Sequence, residues 1–309
     1  MGTTEVVQAV GDPTLTAAVY YAAHTAAVCV GDAESAHRYR VQLRAVAREL
    51  EEPRARWLSG IVDAFTAMMT CQFRAAEEAI AETFAIGDRM GEPEAWPVFS
   101  GQTFVLGTFE GRHAELLSLV EPLMDGQQSV DITFRVAHAI CSLEVGEPAV
   151  PRALLREALD RGIAAIPHDL IRSTTLLGYS ILALDLDDAA AAEVLLPAIE
   201  PFVDEVSYNG VTSQGPVAAY VGKLLTLVGR YDEAEARLLQ ALRLTETFGW
   251  EYHSASTLIA LAQNRAAAAG TLDAGAEQWL TRAEELCEVH GLRSWARRGA
   301  ALRGVPDLL

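Results

Sequence analysis

Lys223 is the only lysine in a chain that carries 23 arginines. It follows a lone glycine, Gly222, inside an apolar helical run. No GxxxxGK[ST] stretch surrounds it, so the lysine is not that of a phosphate-binding loop. His138 and Cys141 lie three positions apart on one predicted helix, a spacing that puts two metal ligands on one face. Nothing nearby supplies a third or fourth ligand, so core packing is the better account of that pair. Tyr20, Tyr21 and His24 form a polar-aromatic cluster on the first predicted helix, read as core groups rather than ligand contacts. His113 and His290 fall near predicted turns and are expected to be solvated. No GxSxG elbow occurs. The acids Glu77, Glu78, Glu233, Glu235, Glu284, Glu285 and Glu288 read as solvated helix faces. These residue types give no catalytic constellation, and the expectation is a non-catalytic protein with no cofactor, no metal and no catalytic residues.

Charge and composition narrow the classes further. The net charge is -18, which disfavours sequence-independent nucleic-acid binding because that needs a basic face to displace counterions. Arg38, Arg40, Arg44, Arg48, Arg54 and Arg56 form one local basic cluster. Pairing with Glu49, Glu51 and Glu52 is its simplest reading, and docking of an acidic partner the alternative. Arg293, Arg297 and Arg298 read the same way. The four cysteines, Cys29, Cys71, Cys141 and Cys287, fall in different predicted helices and form no CxxC pair, so they read as reduced apolar residues. No apolar run approaches the ~18 residues of a membrane span, and no basic, apolar leader opens the chain. A cytoplasmic protein away from membranes is the expectation. The arginine bias and alanine richness fit a high-GC bacterium.

These residues must be positioned by helices. Half of the chain is apolar, and the clearest pattern lies at 215–249. There, Tyr220, Val221, Leu224, Leu225 and Val228 recur at helical spacing, as do Ala234, Leu238, Leu239, Ala241 and Leu242. A short turn at Gly229-Arg230-Tyr231 folds the two helices into an antiparallel hairpin, with the small residues Gly222 and Ala234 on the facing sides. Asp12-Pro13, Glu52-Pro53 and Glu92-Pro93 recur every 40 residues as helix starts. Glycine stop signals follow at Gly91, Gly249 and Gly291. The spacing predicts hairpins at 13–30/32–50, 53–70/73–90, 93–109/111–125, 131–145/148–161, 167–185/188–203, 214–228/231–248 and 251–269/272–290. A capping helix follows at 293–303, with tails at 1–12 and 304–309. The connection 204–215, dense in turn residues, is either a hinge or a long loop.

Gly222, Gly229-x-Tyr231, Ala234, Leu238 and Ala241 together resemble a tetratricopeptide repeat, with Ala218 replacing the usual tryptophan. The resemblance implies an all-α, right-handed solenoid of about seven hairpins over 13–303. Glu52-Pro53-x-x-x-Trp57, Phe73-x-x-Ala76-Glu77 and Met90-Gly91-x-Pro93-x-x-Trp96 further resemble the helical-repeat region of large actinobacterial regulators that carry ATPase, cyclase or LuxR-type modules. The chain is then a stand-alone relative or the repeat region of such a protein. In the repeat family the first helix of each hairpin lines the concave groove. Carried over, that implies Tyr21, Phe65, Met68, Phe104, Ser180, Lys223 and Arg265 as groove residues, with Trp57 and Trp96 flanking it. The leading expectation is a scaffold or regulator holding a protein or peptide segment in its groove. The alternatives are a small-molecule sensor, as in the maltose-regulator family, and an enzyme whose active site lies in the groove. The partner and the oligomeric state are left open.

Overall fold

The computed structural model describes residues 12–50, 52–124, 132–166 and 172–304. The expected tails at 1–12 and 304–309 lie outside them except for Asp12 and Gly304. Among the described residues the chain is all-helical apart from one small hairpin. The helices are α1 (Pro13–Cys29), α2 (Ala33–Leu50), α3 (Pro53–Met69), α4 (Phe73–Met90), α5 (Ala95–Phe109), α6 (His113–Met124), α7 (Ile132–Glu144) and α8 (Ala149–Arg161). They continue as α9 (Arg172–Asp185), α10 (Ala189–Ile199), α11 (Val217–Leu227), α12 (Tyr231–Phe248), α13 (Glu251–Ala269), α14 (Ala274–His290) and α15 (Arg293–Leu302). Strands β1 (Val206–Tyr208) and β2 (Ser213–Pro216) pair between α10 and α11.

The helix starts follow from local chemistry. The Asp12 carboxylate accepts from the amides of Thr14 (2.8 Å) and Leu15 (3.2 Å), and Glu52 accepts from Ala55 (2.6 Å). Each cap stands just before a proline whose missing N–H costs nothing at that position. The third expected start, at Pro93, moves to Ala95, whose amide bonds the Glu92 carbonyl at 3.0 Å. The stops at Gly91, Gly249 and Gly291 are left-handed caps, with φ of 68°, 67° and 69°.

The chain divides into two units. Unit 1 comprises Met1–Leu106 with the hairpin tip Tyr208–Ser213, and unit 2 comprises Gly107–Ser207 and Gln214–Leu309. In unit 1, α1 packs on α2, α3 on α4, and the first helices α1 and α3 on each other. Its core includes Ala17, Leu43, Trp57, Ile61 and Val62. In unit 2 the first helices α7, α9, α11, α13 and α15 pack in succession, each also packing on its own hairpin partner where it has one. One core there is centred on Leu176, Leu182, Leu195 and Leu224, another on Leu238, Leu258, Leu261 and Leu280.

Gly222 explains how closely α11 and α12 approach. A Cβ at that position would lie 2.6 Å from Leu238 Cγ and 3.1 Å from the Ala234 carbonyl oxygen. The leucine can shift, but the backbone of α12 cannot. Gly222→Val is therefore expected to cost about 1–3 kcal/mol of stability, the usual penalty for overpacking. A urea unfolding curve with an unchanged midpoint would show that the contact is looser than this.

Candidate functional site

In unit 1, side chains of α1, α3 and α5 hold a piece of the chain's own backbone. The 204–215 connection, expected as a hinge or loop, forms the β1–β2 hairpin, and its tip belongs to unit 1. The Asn209 side chain accepts from the amides of Val211 (3.0 Å) and Thr212 (2.8 Å), and Gly210 takes φ of 92°. This is the chemistry of a tight Asn-Gly turn. Tyr208 projects from the turn and stacks on Phe65 with ring centroids 4.3 Å apart. His24 meets both rings edge-on, at 6.3 and 6.2 Å.

Three side chains then read the tip's main chain. The Tyr21 hydroxyl donates to the Gly210 carbonyl (3.1 Å), Gln102 Nε2 to the Val211 carbonyl (3.2 Å) and the Cys29 thiol to the Tyr208 carbonyl (3.2 Å). Gln102 Nε2 also donates to the Ile61 carbonyl at 3.0 Å, which fixes the amide orientation. Tyr208 adds a fourth contact, its hydroxyl donating to the Gly210 carbonyl at 2.6 Å. Burial holds the Tyr21 hydroxyl protonated, its pKa pushed up to about 12, so it remains a donor across the physiological range.

A second cluster lies in unit 2 around Lys223 of α11. Its ammonium donates to Ser256 Oγ of α13 at 2.8 Å and lies 5.3 Å from the Tyr220 ring centroid and 5.4 Å from that of Trp295 on α15. Arg298 stacks on the same Trp295 ring, at 5.1 Å, and pairs with Glu144 of α7 (2.7 Å) and Asp185 of α9 (3.3 Å). Tyr252 of α13 meets Trp295 edge-on at 5.8 Å and stacks on Phe109 at 3.7 Å. Burial, reinforced by the charge of Arg298 and opposed by that of Asp185, lowers the Lys223 pKa to about 8.

The remaining expected groove residues are distributed differently. Trp57 is 4% exposed and packs under Gly87 in the core. Met68 is fully buried, and Ser180 donates back to the Leu176 carbonyl (2.8 Å) within its own helix. Trp96 is 62% exposed and packs with Phe84 and Phe99. Phe104 is half-buried on α5. Arg265 is bound by Asp273 at 2.6 Å and lies over Trp279. Tyr21 and Phe65 thus meet around the hairpin tip, and Lys223 centres the second cluster.

Two charge readings need correction. Arg40 and Arg44 both bind Asp63 of α3, Arg54 binds Glu92 in the α4–α5 connection and Arg56 approaches Glu82 of α4, so these arginines reach other elements rather than Glu49 or Glu52. Glu51 lies outside the described residues. His113, expected in solvent, is 8% exposed, because α6 begins with it directly after the turn and carries it inward. Cys141 is buried with its thiol pKa raised to about 12 by desolvation, the behaviour of a core residue. Among the described residues no helix is long and apolar enough to cross a membrane.

Burial keeps His24, His113 and His253 neutral by lowering their pKa values, that of His253 to about 3. The unfolded chain takes up protons on these groups as pH falls below about 6.5, while the folded chain takes them up only at lower pH. Stability present at neutral pH is therefore lost on acidification. Between pH 6.5 and 3 the His253 contribution approaches about 1.4 kcal/mol per pH unit. A His253→Leu chain is expected to show a visibly shallower loss in acid unfolding curves, and an unchanged slope would contradict this.

Comparison of the sequence with models of known protein families and with curated proteins finds no match in either.

Proposed function

We propose that this protein is a non-catalytic helical-repeat binding module, a regulator or scaffold whose inner surface recognises an extended protein segment. The repeat signature around Gly222, Gly229 and Ala234, the packing of α1 on α3 in unit 1 and the succession of first helices packed on one another in unit 2 support a solenoid of the tetratricopeptide-like kind. The observation that carries the reading is in unit 1. There, Tyr21, Cys29 and Gln102 bind three successive regions of main chain through carbonyls, while Phe65 and His24 enclose one aromatic side chain. Main-chain bonds with a side-chain pocket are how a surface recognises an extended peptide. In this chain the resident segment is 208–213, and a partner segment would have to compete with it.

An enzyme reading has one specific observation in its favour. The Lys223–Ser256 contact is the pairing used by serine–lysine nucleophiles. Ser256, however, lies beyond the first turn of α13, where the backbone amides are committed to the helix. Acyl transfer also needs free donors for the oxyanion, and none is supplied beside this hydroxyl by the helix backbone.

The test uses the full chain with 208–213 replaced by an equal length of glycine and serine, its helical content checked by circular dichroism. A fluorescent peptide of sequence 206–216 is expected to bind this variant saturably. Binding is expected to be lost when Phe65→Ala is added and to be weak against the wild-type chain, whose own segment competes. Absence of binding to the folded replacement variant would overturn the reading.

A further inference from the structure

We propose that the Lys223 cluster of unit 2 is a binding site for a small organic monocarboxylate with an apolar or aromatic body. The inference rests on unit 2 alone and is independent of segment recognition by unit 1.

The first argument is unused hydrogen-bonding capacity. An ammonium has three donors, and Lys223 places one of them on Ser256 Oγ. None of the described carboxylates lies within ion-pair distance of it, whereas Arg298 beside it is bound by two. Other polar groups of the cluster are also unmatched. His253, 7% exposed, has a buried Nε2 without a partner, and so does the Trp295 indole nitrogen. Buried polar atoms almost always have partners, and a cluster that leaves two of them open next to a part-buried ammonium has the polarity of a ligand site.

The second argument is placement. Phe109, Glu144, Asp185, Lys223, Tyr252 and Trp295 come from α5, α7, α9, α11, α13 and α15, which are first helices or the closing helix, and the buried His113 of α6 adds its imidazole near Glu144, Asp185 and Arg298. Bulk packing would draw equally on second helices. A convergence drawn mostly from one set of helices marks a face that those helices share.

The third argument selects the ligand. Glu144 and Asp185 are both engaged by Arg298, which leaves Lys223 as the cation of the cluster without a direct ion-pair partner among the described residues. A dianionic phosphate would meet two fixed carboxylates with a single free cation. One negative charge on Lys223 is the better match. The Tyr220, Trp295 and Tyr252 rings around the ammonium favour an apolar or aromatic body attached to that charge.

The test is titration calorimetry of the full chain with butyrate, octanoate, phenylacetate and indole-3-acetate. Each is run beside its neutral amide, with inorganic phosphate as the competing anion. At least one carboxylate is expected to bind, with its amide weaker by about tenfold or more, the usual value of a charge-assisted hydrogen bond. Lys223→Met is expected to abolish that difference and Ser256→Ala to reduce it, with both variants retaining wild-type circular dichroism. Failure of every carboxylate to bind the wild-type chain would overturn the proposal. So would equal affinity for acid and amide, tighter binding of phosphate, or undiminished carboxylate binding by a folded Lys223→Met chain.

Discussion

A chain carrying Tyr208→Ala is expected to lose about 3 kcal/mol or more of stability, the range for removing a large buried aromatic side chain. Tyr208 is 5% exposed, and its ring contacts are all with unit 1 residues. Truncation leaves Phe65 without its stacking partner and His24 without one of its two edge contacts. It also removes the hydroxyl bond to Gly210, whose carbonyl then keeps only Tyr21. Tyr208→Phe separates these effects, because it keeps the ring and sacrifices one hydrogen bond, for about 1 kcal/mol. Urea unfolding of the two variants beside the wild type reads both. Equal, small losses would mean that the ring contributes little to holding the tip.

The second large effect has the opposite sign. Lys223→Met is expected to stabilise the protein, by about 1–3 kcal/mol. The lysine pKa falls from 10.5 to about 8 on folding, with burial the leading cause and Arg298 adding to it. Each unit of such a shift corresponds to about 1.4 kcal/mol, reduced here because the part-buried ammonium keeps some of its water. The unfolded chain holds this proton up to a higher pH than the folded chain does. The penalty is therefore complete below pH 8, shrinks as pH rises and disappears above about 10.5. The stability difference between variant and wild type is expected to be largest near neutrality and to narrow between pH 8 and 10. A methionine of similar volume fills the space among Tyr220 and Trp295 without a charge to desolvate. A destabilised variant would show that Lys223 is already adequately paired in the folded chain. A stabilising substitution at a polar cluster is what a site retained for binding rather than for stability produces.

Helix placement was legible where local chemistry decides it. α4, α12 and α13 run over the expected residues at both ends, because their boundaries are set by turn residues and left-handed glycines within a few positions. Gly215 and Pro216 were assigned to the start of the sixth hairpin, but they form β2, and α11 begins at Val217. Strand pairing with Val206–Tyr208 competes there with helix initiation. The hairpin tip itself was beyond local reading. Its turn residues, Asn209 and Gly210, were visible, but the Tyr21 contact spans 189 positions and the Gln102 contact 109. Nothing in the helical periodicity distinguishes a turn that lies in solvent from one that is buried.

The same limit applies to the two clusters. Tyr21, Phe65 and Lys223 were reached by their places on the first helices of the expected hairpins. Their partners Tyr208, Ser256 and Trp295 were missed. Ser256 had one available signal, its position in the unusually polar-yet-buried stretch His253-Ser-Ala-Ser-Thr257 of α13. Trp57 and Met68, reached by the same rule, are buried, because a first helix also packs against its own partner and large apolar side chains go to that interface.

The claim most exposed to contradiction is that unit 1 grips the segment 208–213. A double-mutant cycle between Phe65→Ala and Tyr208→Ala, read by urea unfolding of the full chain, tests it most directly. The stacked geometry predicts a coupling of about 1 kcal/mol, with the double variant less destabilised than the sum of the single ones. Strict additivity would mean that the two rings do not depend on each other, and the segment would then not be held as described.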